Sequence, residues 1–512
     1  MNIAQLTLDG IEQFGEYESW NFLGQWHTNV QIKDGGCRLA TVLAERGVKP
    51  GDRVVVMMMS CMEVPQAFHA IARLGAVAVP IMPQLIPREI RYIVENSGAE
   101  TVLTSPVLTP NVAAAVEGIE GFRQILVFGE SDVAGAEDIS SATASAATYE
   151  GMHDTDEDDL AVIIYTSGTT GHPKGVMLTH GNLTKNIQAT ATILDGKPME
   201  RSLMVLPMSH VYGMMLMNIS VVLGGQTILL PVFDPEKVLQ AIEEFEIERC
   251  SLVPAMLVAL IHHPAREKYD VSSLRYVTAG SAPLTEEVRC GFSQLFDCRV
   301  TDGYGQSEAT CVVSGYSLDT DPVPGSAGPP IPGVELCVQD DDNQQLPERA
   351  TGEICVRGPN VMKGYWKNPE ATAATVIDGW LHSGDIGHID ENGFVYITDR
   401  KKDMIIKGGE NISPREIEEA IVKMPEVAEV SVYGVPDEKF QEEIAATVVR
   451  MPETNVTEDQ IREAAASYVT KFKIPKYVTF TDALPRNSNG KILKRTLRDQ
   501  WQESVEGVSA GT

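Results

Sequence analysis

Residues 161–175 read AVIIYTSGTTGHPKG, an apolar strand that runs directly into a turn rich in glycine and hydroxyl side chains. Such a turn offers backbone N–H groups and hydroxyls to phosphate oxygens, and Lys174 adds a positive charge beside them. It differs from a Walker A loop, because Lys174 follows Pro173 and precedes Gly175 instead of serine or threonine. The stretch therefore predicts a phosphate-binding loop of another kind, with its donors at Thr166, Ser167, Gly168, Thr169, Thr170 and Lys174.

The pattern of predicted helices and strands around this loop indicates the fold class of the protein. From about residue 36 to 105, and again after residue 159, amphipathic helices alternate with short apolar strands, which is typical of parallel sheets. After Tyr304 glycine, proline and short alternating strands dominate, and beyond Asp403 helices and strands form a compact module. We predict an α/β protein. Its large N-terminal domain (residues 1–400) has helix-flanked sheets and a β-rich subdomain, and its small, mobile C-terminal domain (residues 401–512) is α+β.

The composition restricts the partners and the compartment. Seventy-one acidic residues against 41 basic ones give a net charge of -30, which disfavours nucleic acid and anionic lipid. The first residues lack the pattern of a signal peptide, and the strongest apolar stretch, residues 54–62, is too short for a transmembrane segment. The eight cysteines are scattered without a CxxC pair, as expected of free thiols in a reducing compartment. We predict a cytoplasmic protein and leave a homodimer open.

The loop resembles the phosphate loop of the adenylate-forming superfamily, which includes acyl-CoA synthetases, beetle luciferases and peptide-synthetase adenylation domains. Further stretches resemble the family's motifs in the family's order, from about Asp52 to Arg498. Residues 280–284 (GSAPL) resemble its adenine-contacting turn, and residues 302–308 (DGYGQSE) resemble the motif in which a tyrosine stacks on adenine. The resemblance implies nucleotide contacts at Gly280, Ser281, Ala282, Asp302, Gly303, Tyr304 and Ser307, the last in place of the family's usual threonine.

The resemblance also implies the remaining groups of the adenylation step. Asp385 would accept hydrogen bonds from the ribose hydroxyls, and Arg400 would hold ribose and phosphate at the domain junction. Glu308, with Thr169, would bind Mg²⁺, a hard cation that prefers oxygen ligands. Lys491 would be the adenylation lysine, because a positioned ammonium stabilises the charge that develops when a carboxylate attacks the α-phosphorus.

An apolar segment after residue 205 predicts where the acid binds. Residues 207–213 (PMSHVYG) resemble the family segment whose histidine, here His210, lies beside the substrate carboxylate. Apolar residues follow, and no aspartate lies between Val205 and Gly225 to hold a substrate ammonium, so an apolar acid fits better than an amino acid. The predicted acyl pocket consists of His210, Tyr212, Gly213, Met214 and Met217.

Two C-terminal features predict a coenzyme A site. Residues 471–498 hold eight basic residues and one acidic residue, an inversion that the phosphates of CoA would explain and that an ordinary cationic face would also produce. The resemblance places Lys471, Lys473 and Lys476 near CoA, and it places Gly408 and Gly409 beside the path of its thiol. Lys402 matches the family's hinge position, and Ile406 stands where some relatives carry an auxiliary lysine.

Together these features predict an acid–CoA ligase that uses ATP and Mg²⁺, forms an acyl-AMP, and releases AMP and pyrophosphate. Small molecules, namely a carboxylic acid, ATP and CoA, are its expected partners. We favour a medium- to long-chain fatty acid and keep an aromatic or alicyclic acid as the alternative. A ligase that loads a carrier protein, a phosphotransferase that releases ADP, and an inactive nucleotide sensor are the other hypotheses.

Overall fold

The computed structural model describes residues 1–166, 173–437, 439–486 and 492–509, with side chains as far as residue 504. The chain divides into two compact units. The first unit comprises Met1–Leu336, Cys355–Ser383 and Gly393–Val395, and the second comprises Cys337–Ile354, Gly384–Asn392 and Tyr396–Thr512. The predicted functional boundary between residues 400 and 401 falls inside the second unit and stays a prediction.

The helices are α1 (Gln5–Phe14), α2 (Asn29–Glu45), α3 (Glu63–Arg73), α4 (Pro87–Ser97), α5 (Thr109–Val116), α6 (Ser140–Ser145), α7 (His180–Leu194), α8 (Val211–Leu223), α9 (Pro235–Phe245), α10 (Pro254–Ile261), α11 (Glu286–Phe296), α12 (Pro369–Thr375), α13 (Pro414–Ile421), α14 (Glu458–Ala466) and α15 (Lys494–Ser509). The strands are β1 (Glu18–Phe22), β2 (Gln25–Thr28), β3 (Arg53–Met57), β4 (Val77–Pro80), β5 (Thr101–Thr104), β6 (Gln124–Val127), β7 (Ala136–Asp138), β8 (Leu160–Thr166), β9 (Lys174–Thr179), β10 (Arg201–Met204), β11 (Gln226–Leu229), β12 (Arg249–Leu252), β13 (Tyr276–Ala279), β14 (Arg299–Asp302), β15 (Glu335–Gln339), β16 (Gly352–Arg357), β17 (Gly364–Tyr365), β18 (Val376–Ile377), β19 (Trp380–Ile389), β20 (Val395–Arg400), β21 (Ile405–Lys407), β22 (Glu410–Ile412), β23 (Val427–Asp437), β24 (Gln441–Arg450) and β25 (Tyr477–Thr481).

One sheet of the first unit carries the predicted phosphate loop, with strand order β17-β9-β8-β4-β3-β5-β6-β7. The strands from β8 through β7 in that order run parallel, which confirms the prediction from helix–strand alternation. β8 and β9 instead run antiparallel, with Thr166 opposite Lys174. Only residues 167–173 join them, and so short a connection suits an antiparallel return because a parallel crossover needs a dozen residues or more.

The second sheet of the first unit has the order β14-β13-β12-β10-β11-β1-β2. Its strands are parallel except for the β1–β2 hairpin. The parallel register places Ala279 at the end of β13 opposite Asp302 at the end of β14. Two motifs that lie more than twenty residues apart in the chain therefore begin at the same sheet edge, the edge where ligands bind in open α/β sheets.

The second unit contains a sheet of order β22-β21-β24-β23, with β25 parallel to β24. A long hairpin of β23 and β24 forms its centre, and α13 and α14 bury Ile417, Ile421 and Ile461 in its core. This arrangement confirms the α+β prediction for the C-terminal part of the chain. Within the described residues of both units, the structure contains no helix long and apolar enough to cross a membrane.

Candidate active site

The two ends of the predicted phosphate loop are held mainly by residues from outside the sequence motif. The Tyr92 hydroxyl on α4 donates to the carbonyl oxygen of Pro173 at 3.1 Å. The Tyr165 hydroxyl donates to Asn96 Oδ1 at 2.6 Å, and Trp366 Nε1 donates to the Asn96 carbonyl at 3.0 Å. α4 thus holds both ends of the loop, whereas the predicted donors Ser167, Gly168, Thr169 and Thr170 lie outside the described residues, as does Lys491.

Tyr365 connects the predicted phosphate-binding lysine with the predicted metal-binding carboxylate. The Lys174 Nζ atom lies 4.8 Å from the centre of the Tyr365 ring, and the Tyr365 hydroxyl donates to Glu308 Oε1 at 3.0 Å. Burial, with the nearby Glu308 carboxylate, raises the pKa of Tyr365, so this hydroxyl stays a donor. The structure therefore brings Lys174 and Glu308 together through a residue that sequence reasoning missed, since a tyrosine in a two-residue strand carries no separate signal.

Two glycines of this region are required by close packing. A Cβ atom on Gly175 would lie 2.8 Å from Ile163 Cγ2, and one on Gly305 would lie 1.5 Å from the Cys311 carbonyl oxygen. Gly305 allows the chain to fold back onto itself just before the short 3₁₀ turn Ser307–Ala309 that carries Glu308. Buried Asn360 supports that turn, because its Nδ2 donates to the Ala309 carbonyl at 3.2 Å.

The predicted adenine segments meet at the edge of the second sheet. The Gly303 N–H donates to the Ala279 carbonyl at 3.1 Å, next to the turn that holds Gly280, Ser281 and Ala282. Ser281 adopts a left-handed φ of 68°, which turns the chain sharply after β13. Tyr304 forms backbone hydrogen bonds with Ser314, including Tyr304 N–H to Ser314 O at 3.1 Å. The structure thus places these segments at one sheet edge, as their spacing at strand ends requires.

His210 caps the N-terminus of α8. Its Nδ1 accepts a hydrogen bond from the Tyr212 N–H at 3.3 Å, and burial lowers its pKa to about 4. The ring is therefore neutral near pH 7, and because Nδ1 accepts, its proton resides on Nε2. Gly213 follows without space for a side chain, since a Cβ there would lie 2.2 Å from the Pro207 carbonyl oxygen. His210 can thus donate through Nε2 to an anionic oxygen.

The predicted acyl-pocket residues lie on two different faces of α8. Tyr212 packs against the adenine-side turn, with its Cε1 atom 3.2 Å from the position of a Cβ on Gly280. Met214 and Met217 instead line a cavity formed with α1 and α3. Tyr212 therefore lies against the adenine-side turn, and Met214 and Met217 do not join it.

In the second unit the two predicted ribose-binding residues contact each other. Arg400 Nε lies 2.6 Å from Asp385 Oδ1, and the Asp385 side chain is 4% exposed. The preceding residue, Asp399, accepts hydrogen bonds from the Ser413 hydroxyl at 2.8 Å and the Arg415 N–H at 3.1 Å. The segment around the predicted hinge residue Lys402 is thus tied to α13.

A buried ion pair adjoins the glycine pair predicted to flank the CoA thiol. Lys407 Nζ lies 2.5 Å from Glu443 Oε1, with side chains 7% and 5% exposed, and it donates to the Phe472 carbonyl at 2.9 Å. Gly408 and Gly409 follow directly, with φ of 60° and 86°. Phe472 belongs to the turn that holds Lys471 and Lys473, so Lys407 joins two segments that the sequence separately predicts to contact CoA.

Ion pairs neutralise part of the excess of basic residues in 471–498, namely Lys473, Lys476, Arg486 and Lys494. Lys473 Nζ lies 2.6 Å from Glu416 Oε2, and Lys476 Nζ lies 2.9 Å from Asp437 Oδ2. Lys471, by contrast, is exposed and forms no ion pair among the described residues. Of the three lysines, Lys471 therefore has the positive charge that is most available to bind a phosphate group.

Family models match both parts of the chain. The AMP-binding enzyme model matches residues 10–366, and the AMP-binding enzyme C-terminal domain model matches residues 416–491. The chain belongs to the AMP-binding enzyme family, in the acyl-CoA synthetase branch of the adenylate-forming superfamily. It is an AMP-forming acid–CoA ligase that uses ATP and CoA as substrates.

Similar proteins cover nearly the whole chain. A long-chain-fatty-acid–CoA ligase of Mycobacterium tuberculosis is 37% identical over 93% of this chain and 94% of its own length. A feruloyl-CoA synthase of an Amycolatopsis species is 36% identical, with the same two coverages. The solved structure of ATP-bound MatB from Rhodopseudomonas palustris is 33% identical, covers 98% of this chain and 99% of its own, and has a TM-score of 0.90.

Proposed function

We propose that this ligase activates a medium- to long-chain fatty acid, and that the Lys174–Tyr365–Glu308 arrangement is the core of its adenylation site. That arrangement is the main support for the adenylation site, because it places a cation and a carboxylate on one tyrosine at the end of the phosphate loop. A carboxylate oxygen of the acid would attack the α-phosphorus of ATP, and the bond to pyrophosphate would break. Lys174 would stabilise the negative charge on the phosphates.

Glu308 fits the role of a magnesium ligand. Its Oε1 accepts one hydrogen bond, and an ionised carboxylate has further lone pairs for a cation. The described residues contain no cluster of three acidic, histidine or cysteine side chains, which agrees with an ion that is held partly by nucleotide phosphates and water. Magnesium would supply charge neutralisation there, with Thr169 as the second protein ligand.

His210 would orient the acid. Its neutral ring has Nε2–H available, so it can donate to the substrate carboxylate without adding a buried charge. The acyl chain would extend beside Tyr212 and Gly280, while Met214 and Met217 stay predictions as pocket residues. The lack of an aspartate between Val205 and Gly225 and the similarity to fatty-acid ligases favour an apolar acid.

The second unit would serve thioester formation. The CoA sulfur would attack the acyl carbon, and the bond to AMP would break, with the thiol passing Gly409 and the phosphates meeting Lys471. Asp385 and Arg400 would hold the ribose, and Lys491 would act in adenylation.

Lys402 would be the hinge about which the C-terminal domain rotates between the two half-reactions. Such a rotation is useful where one active site performs two chemical steps.

An aromatic acid is the second candidate. The feruloyl-CoA synthase of Amycolatopsis is 36% identical, and Tyr212 lies against Gly280, where a planar ring would find a flat surface. A cytoplasmic location and a homodimer remain predictions alongside either acid.

A panel of acids distinguishes the two candidates. Octanoate, palmitate, ferulate and benzoate would be offered with ATP and CoA, and AMP and the thioester mass would be followed together. We expect the largest kcat/KM for a fatty acid. A larger value for ferulate would replace the fatty-acid proposal by the aromatic one, and stoichiometric ADP would reject the adenylation chemistry.

A further inference from the structure

The first unit contains a cavity that is not lined by the adenylation residues Lys174, Glu308 or His210. It lies among α1, α2, α3 and α8, has a volume of about 70 Å³, and opens to solvent at its mouth. Most of its walls are aliphatic or aromatic side chains, among them Ile3, Ile11, Trp20, Phe68, Ile71 and Met217. Space of this kind among apolar side chains is the usual setting of a small-molecule site.

The cavity lies on the face of α8 that points away from the adenylation residues. Successive helix residues are about 100° apart, so Met214, Met217 and Val221 are about 200°, 140° and 180° from Tyr212 around the helix axis. Tyr212 packs against the turn at Gly280, and the three other residues line the cavity. The cavity is thus separated from His210 and Tyr212 by the helix itself.

One buried polar group in the wall of this cavity has an incomplete set of hydrogen bonds. His69 on α3 is 7% exposed, and its Nε2 lies 4.0 Å from Cys37 Sγ. Its Nδ1 is buried without a hydrogen-bond partner among the described residues. An unpaired buried nitrogen costs free energy, which a ligand that supplies the missing hydrogen bond would recover.

The charged groups near His69 already have partners. Lys33 Nζ pairs with Asp34 Oδ1 at 2.8 Å, and the Arg73 guanidinium donates to backbone carbonyls of Tyr149, Glu150 and Gly151. A carboxylate buried in this cavity would therefore lack a cation of its own, which is costly. A neutral polar group matches His69 better.

We propose that this cavity is a second ligand site, for a small, mainly apolar molecule with one hydroxyl group that hydrogen-bonds to His69. Such a ligand is distinct from the acid, ATP and CoA. It would contact α8, the helix that His210 caps, so its binding would affect the adenylation site through one rigid helix.

Phenol and toluene are matched probes, because they have similar shapes and only phenol carries a hydroxyl. Saturation-transfer NMR titrations on the full chain should give saturable binding of both, with phenol about three- to tenfold tighter, the range of one net hydrogen bond. His69→Phe should equalise the two affinities. Val221→Phe should fill the cavity and abolish binding of both, with the KM for the preferred acid unchanged.

Several results would overturn the site. Neither probe binding, phenol retaining its affinity in Val221→Phe, or phenol keeping its preference in a folded His69→Phe would each contradict it. A large rise in the KM for the acid in Val221→Phe, with phenol competing against the acid, would show that the cavity belongs to the acyl pocket. Should His69→Phe fail to fold, by circular dichroism, the Val221→Phe titration decides alone.

Discussion

The two units present their functional residues in different ways. In the first, Lys174, Glu308 and His210 are placed by neutral contacts, namely a tyrosine ring, a capped helix and glycines in tight packing. In the second, the candidate residues Asp385 and Arg400 pair with each other, and the buried Lys407–Glu443 pair adjoins the candidate glycines. The functional groups of the first unit are thus positioned without an opposite charge beside them. A ligand that binds Asp385 or Arg400 in the second unit must instead compete with their ion pair.

The largest expected effect is in the first unit. Glu308→Gln should lower acid-dependent ATP–pyrophosphate exchange by about 10²–10³-fold, because a group that stabilises developing charge is lost. Thioester formation from supplied acyl-AMP should persist. Glu335→Gln, which removes an exposed carboxylate paired with Arg357, is the matched control and should leave exchange unaltered. Exchange at near wild-type level in Glu308→Gln would remove Glu308 from the adenylation site.

The second unit should show the next largest effect, on stability. Lys407→Met leaves the buried Glu443 carboxylate unpaired and should destabilise the unit by about 3–5 kcal/mol. Adding Glu443→Gln should restore much of that loss, because the uncompensated charge is gone. Hydrogen exchange of the peptides covering residues 405–450 measures both effects.

Lys476→Met is the control for that experiment. Its ion pair with Asp437 lies at the surface, where water screens the charges, so little change is expected. Equal destabilisation by Lys407→Met and Lys476→Met would mean that burial of the ion pair does not matter.

A smaller effect should separate the three lysines of the candidate CoA site. Lys471→Ala should raise the KM for CoA about threefold and leave the KM for ATP unchanged, because an exposed cation contributes a modest attraction. Lys476→Ala should do less, since Asp437 already neutralises this lysine. If Lys476→Ala has the larger effect in initial-rate assays, the existing ion pair does not govern CoA binding.

The two units should also differ in their response to acid. Burial lowers the pKa of His180 and of His210 to about 4 and of His69 to about 3, all in the first unit. The unfolded chain binds these protons near pH 6.5, so the stability of the first unit should fall as pH drops from 6.5 towards 4.

The second unit should respond only at lower pH. The pKa of Asp437 is lowered by hydrogen bonds from Lys476 and from backbone N–H groups, so its contribution is lost as pH falls below about 4. Hydrogen exchange at pH 7, 5.5 and 4.5 should show the free energy of unfolding falling steadily in the first unit and changing little in the second. His180→Gln should reduce the pH dependence of the first unit's stability by the share of that one histidine. Identical stability–pH profiles for both units would contradict the assignment of the buried histidines as its cause.

Much of the first unit could be predicted from its sequence, because its signals are local. Helix–strand alternation indicates the parallel sheets. Asp302 ends β14 and Gly280 directly follows β13, at the sheet edge where α/β proteins bind ligands. The bracing by Asn96 and Tyr365 could not be predicted, since each acts through partners far away in the chain.

The second unit shows where charge counting fails. Residues 471–498 are strongly basic in sequence, yet their carboxylate partners, such as Glu416 and Asp437, come from other segments.

The apolar run after His210, in the first unit, poses a different problem, because an almost uniformly apolar helix does not reveal which face meets the substrate. Only the packing of Tyr212 on one side and Met214 on the other distinguishes the faces.

Substitution of Gly409 is the most direct test of whether adenylation and thioester formation use separate sets of residues. A Cβ on Gly409 would meet nothing within 4 Å, and the same is true of Gly393, a turn residue with a similar φ of 82°. In Gly409→Leu, thioester formation from purified acyl-AMP and CoA should fall on the order of a hundredfold, while ATP–pyrophosphate exchange is retained. Gly393→Leu should retain both activities. Equal loss of both half-reactions in Gly409→Leu, with Gly393→Leu unaffected, would contradict the separation.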